Sequence, residues 1–105
     1  MDTLTRLEAT IASRKGAEPD TSYVAQLHAR GVPVMARKLG EEAVETVVAA
    51  LSGSREELVG EAADVLFHLM VLLSGKDIAL ADVLAELDRR EGVSGIEEKA
   101  SRGTE

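Results

Sequence analysis

Four carboxylates are arranged as mirror images about Gly53: Glu42 and Glu45 stand eleven and eight residues before it, Glu61 and Asp64 eight and eleven residues after it. If both flanks are helical, each i, i+3 pair shares a face, and an antiparallel hairpin turning at Gly53 sets Glu42 opposite Asp64 and Glu45 opposite Glu61. Hard oxygen donors grouped in this way suit a divalent cation, with Mg²⁺ the first candidate. A single glutamate on a helix is ordinarily solvated. The set is different, because Glu61 and Asp64 stand among Ala62, Ala63, Val65 and Leu66. Four like charges converging on a partly buried hairpin repel strongly unless a cation neutralises them.

The neighbours of these four allow more than one role. Lys38 precedes Glu42 by one turn, either as an intrahelical ion pair or as a clamp for phosphates beside a metal. Glu41 points about 100° away from Glu42 along the helix, toward a second ion or toward Arg37 one turn back. His68, one turn after Asp64, is a base, a hydrogen-bond partner of a ligand, or a core histidine. Arg14, Lys15, Arg30 and Arg37 either close over a polyphosphate or complement helix C-termini. His28 reads as a surface residue, and Glu56, Glu57, Glu86, Asp88 and Glu91 as capping or solvated charges.

Five helices are expected to position these groups. The first spans about Thr5 to Lys15, with Leu4, Leu7 and Ile11 at helical spacing. A short second helix, capped by Thr21 or Ser22, carries Tyr23, Val24 and Leu27 to Gly31. Pro33 opens a third that runs to about Leu51, with Val34, Leu39, Val44, Val47, Val48 and Leu51 on its apolar side. Gly40 within it weakens the helix and suggests a close backbone approach. Ser54 and Glu57 form an S-x-x-E capping box for a fourth helix reaching about Leu73. Its second half is apolar nearly all round, so it calls for cover on several sides and predicts a homodimer built on this helix. A fifth runs from about Ala81 to Glu91 with Val83, Leu84 and Leu87 facing inward. Residues 92–105 are charged and read as disordered or docked on a partner surface.

The composition agrees with an all-α bundle: of 105 residues, 45% are hydrophobic but only 2% aromatic, so Leu, Val and Ala must make the core. Residues 1–105 are expected to form one domain, a helical bundle around a central antiparallel hairpin. A net charge of −7 argues against a nucleic-acid groove. Without cysteine there is no disulfide framework and no thiolate chemistry, which fits a reducing cytoplasm. No signal peptide is expected, and the longest apolar stretch, Val65 to Leu73, is interrupted by His68 and too short for a membrane span. The glycines do not form a Walker loop, and neither H-E-x-x-H nor G-x-S-x-G occurs.

E-E-x-x-E at 41–45 followed by E-x-x-D at 61–64 resembles the all-α nucleoside triphosphate pyrophosphohydrolase superfamily. Ser22-Tyr23-Val24, Lys38-Leu39-Gly40-Glu41-Glu42-Ala43, Asp64-Val65-Leu66-Phe67-His68-Leu69 and Gly95-Ile96-Glu97-Glu98-Lys99-Ala100-Ser101-Arg102 narrow the resemblance, over about residues 3–102, to the phosphoribosyl-ATP pyrophosphatase family of histidine biosynthesis. The resemblance implies Mg²⁺, with Mn²⁺ as a substitute, held by Glu42, Glu45, Glu61 and Asp64. It implies hydrolysis of phosphoribosyl-ATP to phosphoribosyl-AMP and pyrophosphate, with Glu41 or Glu45 accepting the proton of the attacking water and Lys38 steadying the leaving phosphates. Two other readings make different predictions. A house-cleaning pyrophosphatase acting on dUTP, dCTP or damaged nucleotides would use an aromatic platform, for which only Tyr23 and Phe67 are present. A non-catalytic dimerisation module would leave the carboxylates solvated and indifferent to Mg²⁺.

Overall fold

The computed structural model describes residues 2–92 and 95–102. Among them are six α-helices and no strand: α1 (Thr3–Arg14), α2 (Tyr23–Arg30), α3 (Val32–Ser52), α4 (Arg55–Gly75), α5 (Leu80–Arg90) and α6 (Gly95–Arg102), with a single 3-10 turn at Pro19–Thr21 between α1 and α2.

Local chemistry sets the boundaries. Asp2 Oδ1 accepts from the Thr5 N–H at 2.8 Å to start α1, and Ser22 Oγ accepts from the Ala25 N–H at 3.2 Å to start α2. Gly31 separates α2 from α3 at φ +95°, a backbone conformation that favours glycine, and its carbonyl accepts from the Val34 and Met35 N–H groups. The expected capping box opens α4: Glu57 N–H donates to Ser54 Oγ at 3.1 Å and Ser54 N–H to Glu57 Oε1 at 3.4 Å. At Gly53 the chain turns so tightly that a Cβ would stand 2.9 Å from the Ala49 carbonyl oxygen.

The hairpin of α3 and α4 is the frame, each arm about 31 Å long. Its open end is packed: Met35 from α3 and Met70 and Val71 from α4 meet Ile11 of α1, Val24 and Leu27 of α2, and Leu80 of α5, with Leu4, Leu7, Val32, Val34 and Phe67 against them. Its turn end is bare, with Val44 64% and Leu51 83% exposed and Val47, Val48 and Val59 more than half so. Of the apolar side expected for α3, Val34 and Leu39 are half-buried and Val44, Val47, Val48 and Leu51 are exposed. The apolar half of α4 also divides, since His68, Met70 and Val71 are buried and Leu66 is largely exposed. Both departures have one cause: α1 and α2 are short and cover one end of the hairpin.

Long-range polar contacts hold the C-terminal elements. Lys15 Nζ bonds the Ser74 carbonyl at 2.9 Å and the Asp77 carboxylate at 3.0 Å, tying α1 to the turn after α4. Ala79, the N-cap of α5, offers no side-chain cap, and Glu8 of α1 supplies one instead, its Oε2 accepting from the Leu80 N–H at 2.7 Å. Leu80 is buried and Val83 half-buried, but Leu84 and Leu87 are exposed, so α5 does not face inward along its length as its pattern suggested. Within the tail, residues 95–102 form α6; residues 93, 94 and 103–105 lie outside the described residues. Gly40 meets no atom within 4 Å of its would-be Cβ, so it serves no close approach among the described residues.

By length and composition α4 is apolar enough to cross a membrane, beyond what the run from Val65 to Leu73 suggested. Glu56, Glu57, Glu61 and Asp64 lie on it, and each acidic group near a bilayer centre costs about 3 kcal/mol. Part of its apolar surface packs on the core, through Phe67, Met70, Val71, Leu72 and Leu73. The radius of gyration, 15.8 Å, exceeds the about 13 Å of a compact chain of this length: the hairpin tip extends past the packed end, and α5 and α6 pack sparsely on the rest.

Candidate active site

The hairpin brings the acidic positions together midway between its packed and bare ends. One carboxylate oxygen from each of Glu42, Glu45 and Glu61 lies within 4.8 Å of the other two. Asp64 is on the same face but stays exposed at the rim; its oxygens are not among the converging three, although its charge acts on Glu42, Glu61 and His68. A cavity of about 250 Å³ opens beside Glu45 and Glu61 toward Ser52, Gly53 and Glu57. A larger groove of about 490 Å³ between α1, α4 and α5 is remote from the carboxylates and mainly apolar; its Lys15 and Asp77 already pair with each other.

The electrostatics express the crowding. Glu42 is pushed up from 4.5 to about 7, first by the hydrogen bond its protonated form shares with Glu45, then by burial and by repulsion from Glu45, Asp64 and Glu61. Glu61 is also raised, by burial first and then by the charge of Glu45. Oε2 of Glu42 and Oε2 of Glu61 are buried without a hydrogen-bond partner. Buried acceptors without donors are costly. A hard divalent cation satisfies both and stabilises the charged forms, so the donor set fits Mg²⁺ or Mn²⁺.

Glu41 stands outside the cluster, with Arg37 Nε 3.4 Å from its Oε2 and Lys38 Nζ 3.6 Å from its Oε1. Lys38 thus pairs with Glu41, not with Glu42. Lys38 stands one turn before Glu42 on α3, and Arg37 lies further round the helix beside Glu41. His28 is half-buried, correcting its reading as a surface residue: Nδ1–H donates to the Val24 carbonyl at 2.9 Å and Nε2 accepts from the Ser74 hydroxyl at 3.1 Å.

The sequence left the role of His68 open among three readings and, beyond the adjacent Phe67, gave no sign of the aromatic group around it. Tyr23 and Phe67 stack with centroids 6.1 Å apart, and both meet the His68 ring edge-on at 6.0 and 5.1 Å. His68 Nε2 lies 3.9 Å from Glu42 Oε1. Burial lowers its pKa and keeps the ring neutral. The adjacency of Phe67 and His68 was the only local signal, since Tyr23 arrives from α2.

The family described as phosphoribosyl-ATP pyrophosphohydrolase matches residues 4–91 of this chain. A protein of Erythrobacter litoralis named phosphoribosyl-ATP pyrophosphatase is 67% identical over 103 residues, covering 98% of this chain and 99% of the relative. Another of that name from Novosphingobium aromaticivorans is 67% identical over 99 residues, or 94% and 92% of the two chains. A third, from Dinoroseobacter shibae, is 62% identical over 102 residues, covering 97% of this chain and all of its own. A match that spans the hairpin, its four carboxylates and the helices that pack its open end leaves one conclusion: the chain belongs to the phosphoribosyl-ATP pyrophosphohydrolase family.

Proposed function

We propose that this protein hydrolyses phosphoribosyl-ATP to phosphoribosyl-AMP and pyrophosphate in histidine biosynthesis, in the cytoplasm, at the carboxylate cluster of the α3–α4 hairpin. The observation that carries the site is the convergence of Glu42, Glu45 and Glu61 within 4.8 Å, with buried oxygens of Glu42 and Glu61 lacking partners. Glu42, Glu45 and Glu61 hold Mg²⁺, and Asp64 completes the set from the rim. When bound, the ion supplies positive charge against the phosphate oxygens and acidifies water there.

The remaining work falls to the chain's own residues. Arg37 and Lys38, steadied by Glu41 between them, face the polyphosphate and balance the charge on the departing pyrophosphate. Glu45, exposed and within the cluster, accepts the proton of the water that attacks the α-phosphorus as the bond to the bridging oxygen breaks. Glu41, with one oxygen held by each cation, positions those cations. The exposed valines and Leu51 at the turn end form an apolar face of the kind that marks an interface, and two copies join there as a homodimer.

Pyrophosphate release from phosphoribosyl-ATP, with dUTP as comparison, tests the reading. Activity is expected with Mg²⁺, is abolished by chelation and returns with Mg²⁺ or Mn²⁺. Full activity in excess chelator would refute the metal, and turnover of dUTP without phosphoribosyl-ATP would refute the substrate.

A further inference from the structure

A carboxylate that binds a metal through one oxygen needs its other oxygen held, or it swings between binding modes. Such outer partners commonly set metal affinity by about 10–100-fold. Among the described residues, His68 is a donor placed for this beside Glu42. Glu42 Oε1 faces His68 Nε2 at 3.9 Å, while Oε2 is buried with no partner. The His68 side chain is only 6% exposed and is fixed in direction by the edges of Phe67 and Tyr23. Its Nδ1 is buried and has no hydrogen-bond partner. A neutral imidazole carries one N–H, and Nε2 is the nitrogen with an acceptor beside it, so the proton belongs on Nε2. At 3.9 Å the contact is longer than a hydrogen bond, and a shift of about 1 Å by the Glu42 carboxylate would bring Oε1 onto the donor.

We propose that His68 is a positioning residue for the metal centre: its Nε2–H holds Glu42 Oε1 and thereby presents Oε2 to the divalent cation. This rests on the carboxylate cluster being the metal site. His68 touches neither substrate nor metal. Its effect therefore falls on metal affinity and leaves turnover at saturating metal nearly unchanged. A core histidine that served packing only would change stability and spare metal affinity.

The experiment measures Mn²⁺ binding to the metal-free full-length protein by electron paramagnetic resonance, with the Mg²⁺ dependence of pyrophosphate release alongside. His68→Gln keeps an N–H near the Nε2 position and should bind Mn²⁺ within about threefold of the original chain. His68→Asn moves the donor to the Nδ1 side, and His68→Phe removes it; both should bind about tenfold or more weakly. The Mg²⁺ concentration for half-maximal rate should rise in step, with kcat at saturating Mg²⁺ within about twofold. Should His68→Phe not fold, the Gln and Asn pair decides. Unchanged Mn²⁺ affinity in His68→Asn, or equal weakening in Gln and Asn, overturns the positioning role. An original chain that binds no Mn²⁺ overturns the metal site itself, and the two failures are thereby told apart.

Discussion

Replacing Glu42 with Gln should stabilise the metal-free protein and abolish its activity, and the size of the stabilisation follows from the charge at the site. The Glu42 carboxyl is held at about 7 against an ordinary 4.5. The folded chain therefore keeps a proton that the unfolded chain has released, and stability declines as pH rises from 4.5 to about 7, then levels off. Each pH unit in that window is worth 1.36 kcal/mol, which gives about 3 kcal/mol as an upper bound. Glu42 is 18% exposed and shares its repulsion with three other carboxylates, so about 1–2 kcal/mol is expected. Glu61, also raised, adds in the same direction, whereas His68, lowered by burial, opposes it below pH 6.5. Comparing the original chain with Glu42→Gln largely cancels the contributions of these two. Urea unfolding in chelator at pH 5, 6, 7 and 8 should show the two chains converging at pH 5 and the variant ahead by about 1–2 kcal/mol at pH 8. Adding Mg²⁺ should raise the original chain above the variant. Equal stabilities at pH 5 and pH 8, or a variant that is the less stable at pH 8, would refute the crowding described for this hairpin.

Other perturbations probe the surrounding frame. Glu8→Ala removes the side-chain cap that α1 supplies to α5 and should cost about 1 kcal/mol in urea unfolding; a loss below about 0.3 would mean that the 2.7 Å bond is replaced by water. Gly40→Ala should gain about 0.5–1 kcal/mol, because space around it is open and a helix interior favours alanine; destabilisation would show that another chain covers that point. Val48→Asp should shift the protein to monomer in sedimentation velocity, weakening self-association by about 100-fold, roughly 3 kcal/mol; an unchanged sedimentation coefficient would remove the turn end from the interface. Glu86, held down to about 2 by hydrogen bonds from Arg89 and Arg90, adds stability above pH 4.5 that fades as pH falls toward 2, and Glu86→Gln should flatten that acid limb.

The parts of the fold that could be read from sequence are those written in local chemistry. Ser22, Gly31 and the Ser54–Glu57 box fix helix ends within a few residues, and the capped turn at Gly53 brings Glu42, Glu45 and Glu61 into one group by spacing alone. What could not be read depends on packing between distant segments. The helix at 95–102 was not foreseen because its eight residues carry few apolar positions to show a period. Leu84 and Leu87 look inward by periodicity, yet a moderately apolar stripe does not say which surface covers it. His68 could be a base, a partner or a core residue until Tyr23, 45 positions earlier, is brought against it.

The same division explains why the site sits midway along the hairpin. Nearer the packed end, the carboxylates would face Met35, Met70 and Val71, where ionising them costs far more than a cation can be guided in to offset. Nearer the tip, the carboxylates would lie on the apolar face proposed to join two copies, shut off from an entering ion. Between the two, Glu42 and Glu61 are buried enough to resist ionisation, while Glu45 and Asp64 stay open to an entering ion and a polyphosphate. The short reach of α1 and α2, which stops short of the middle of the hairpin, is thus also what keeps the acidic face accessible.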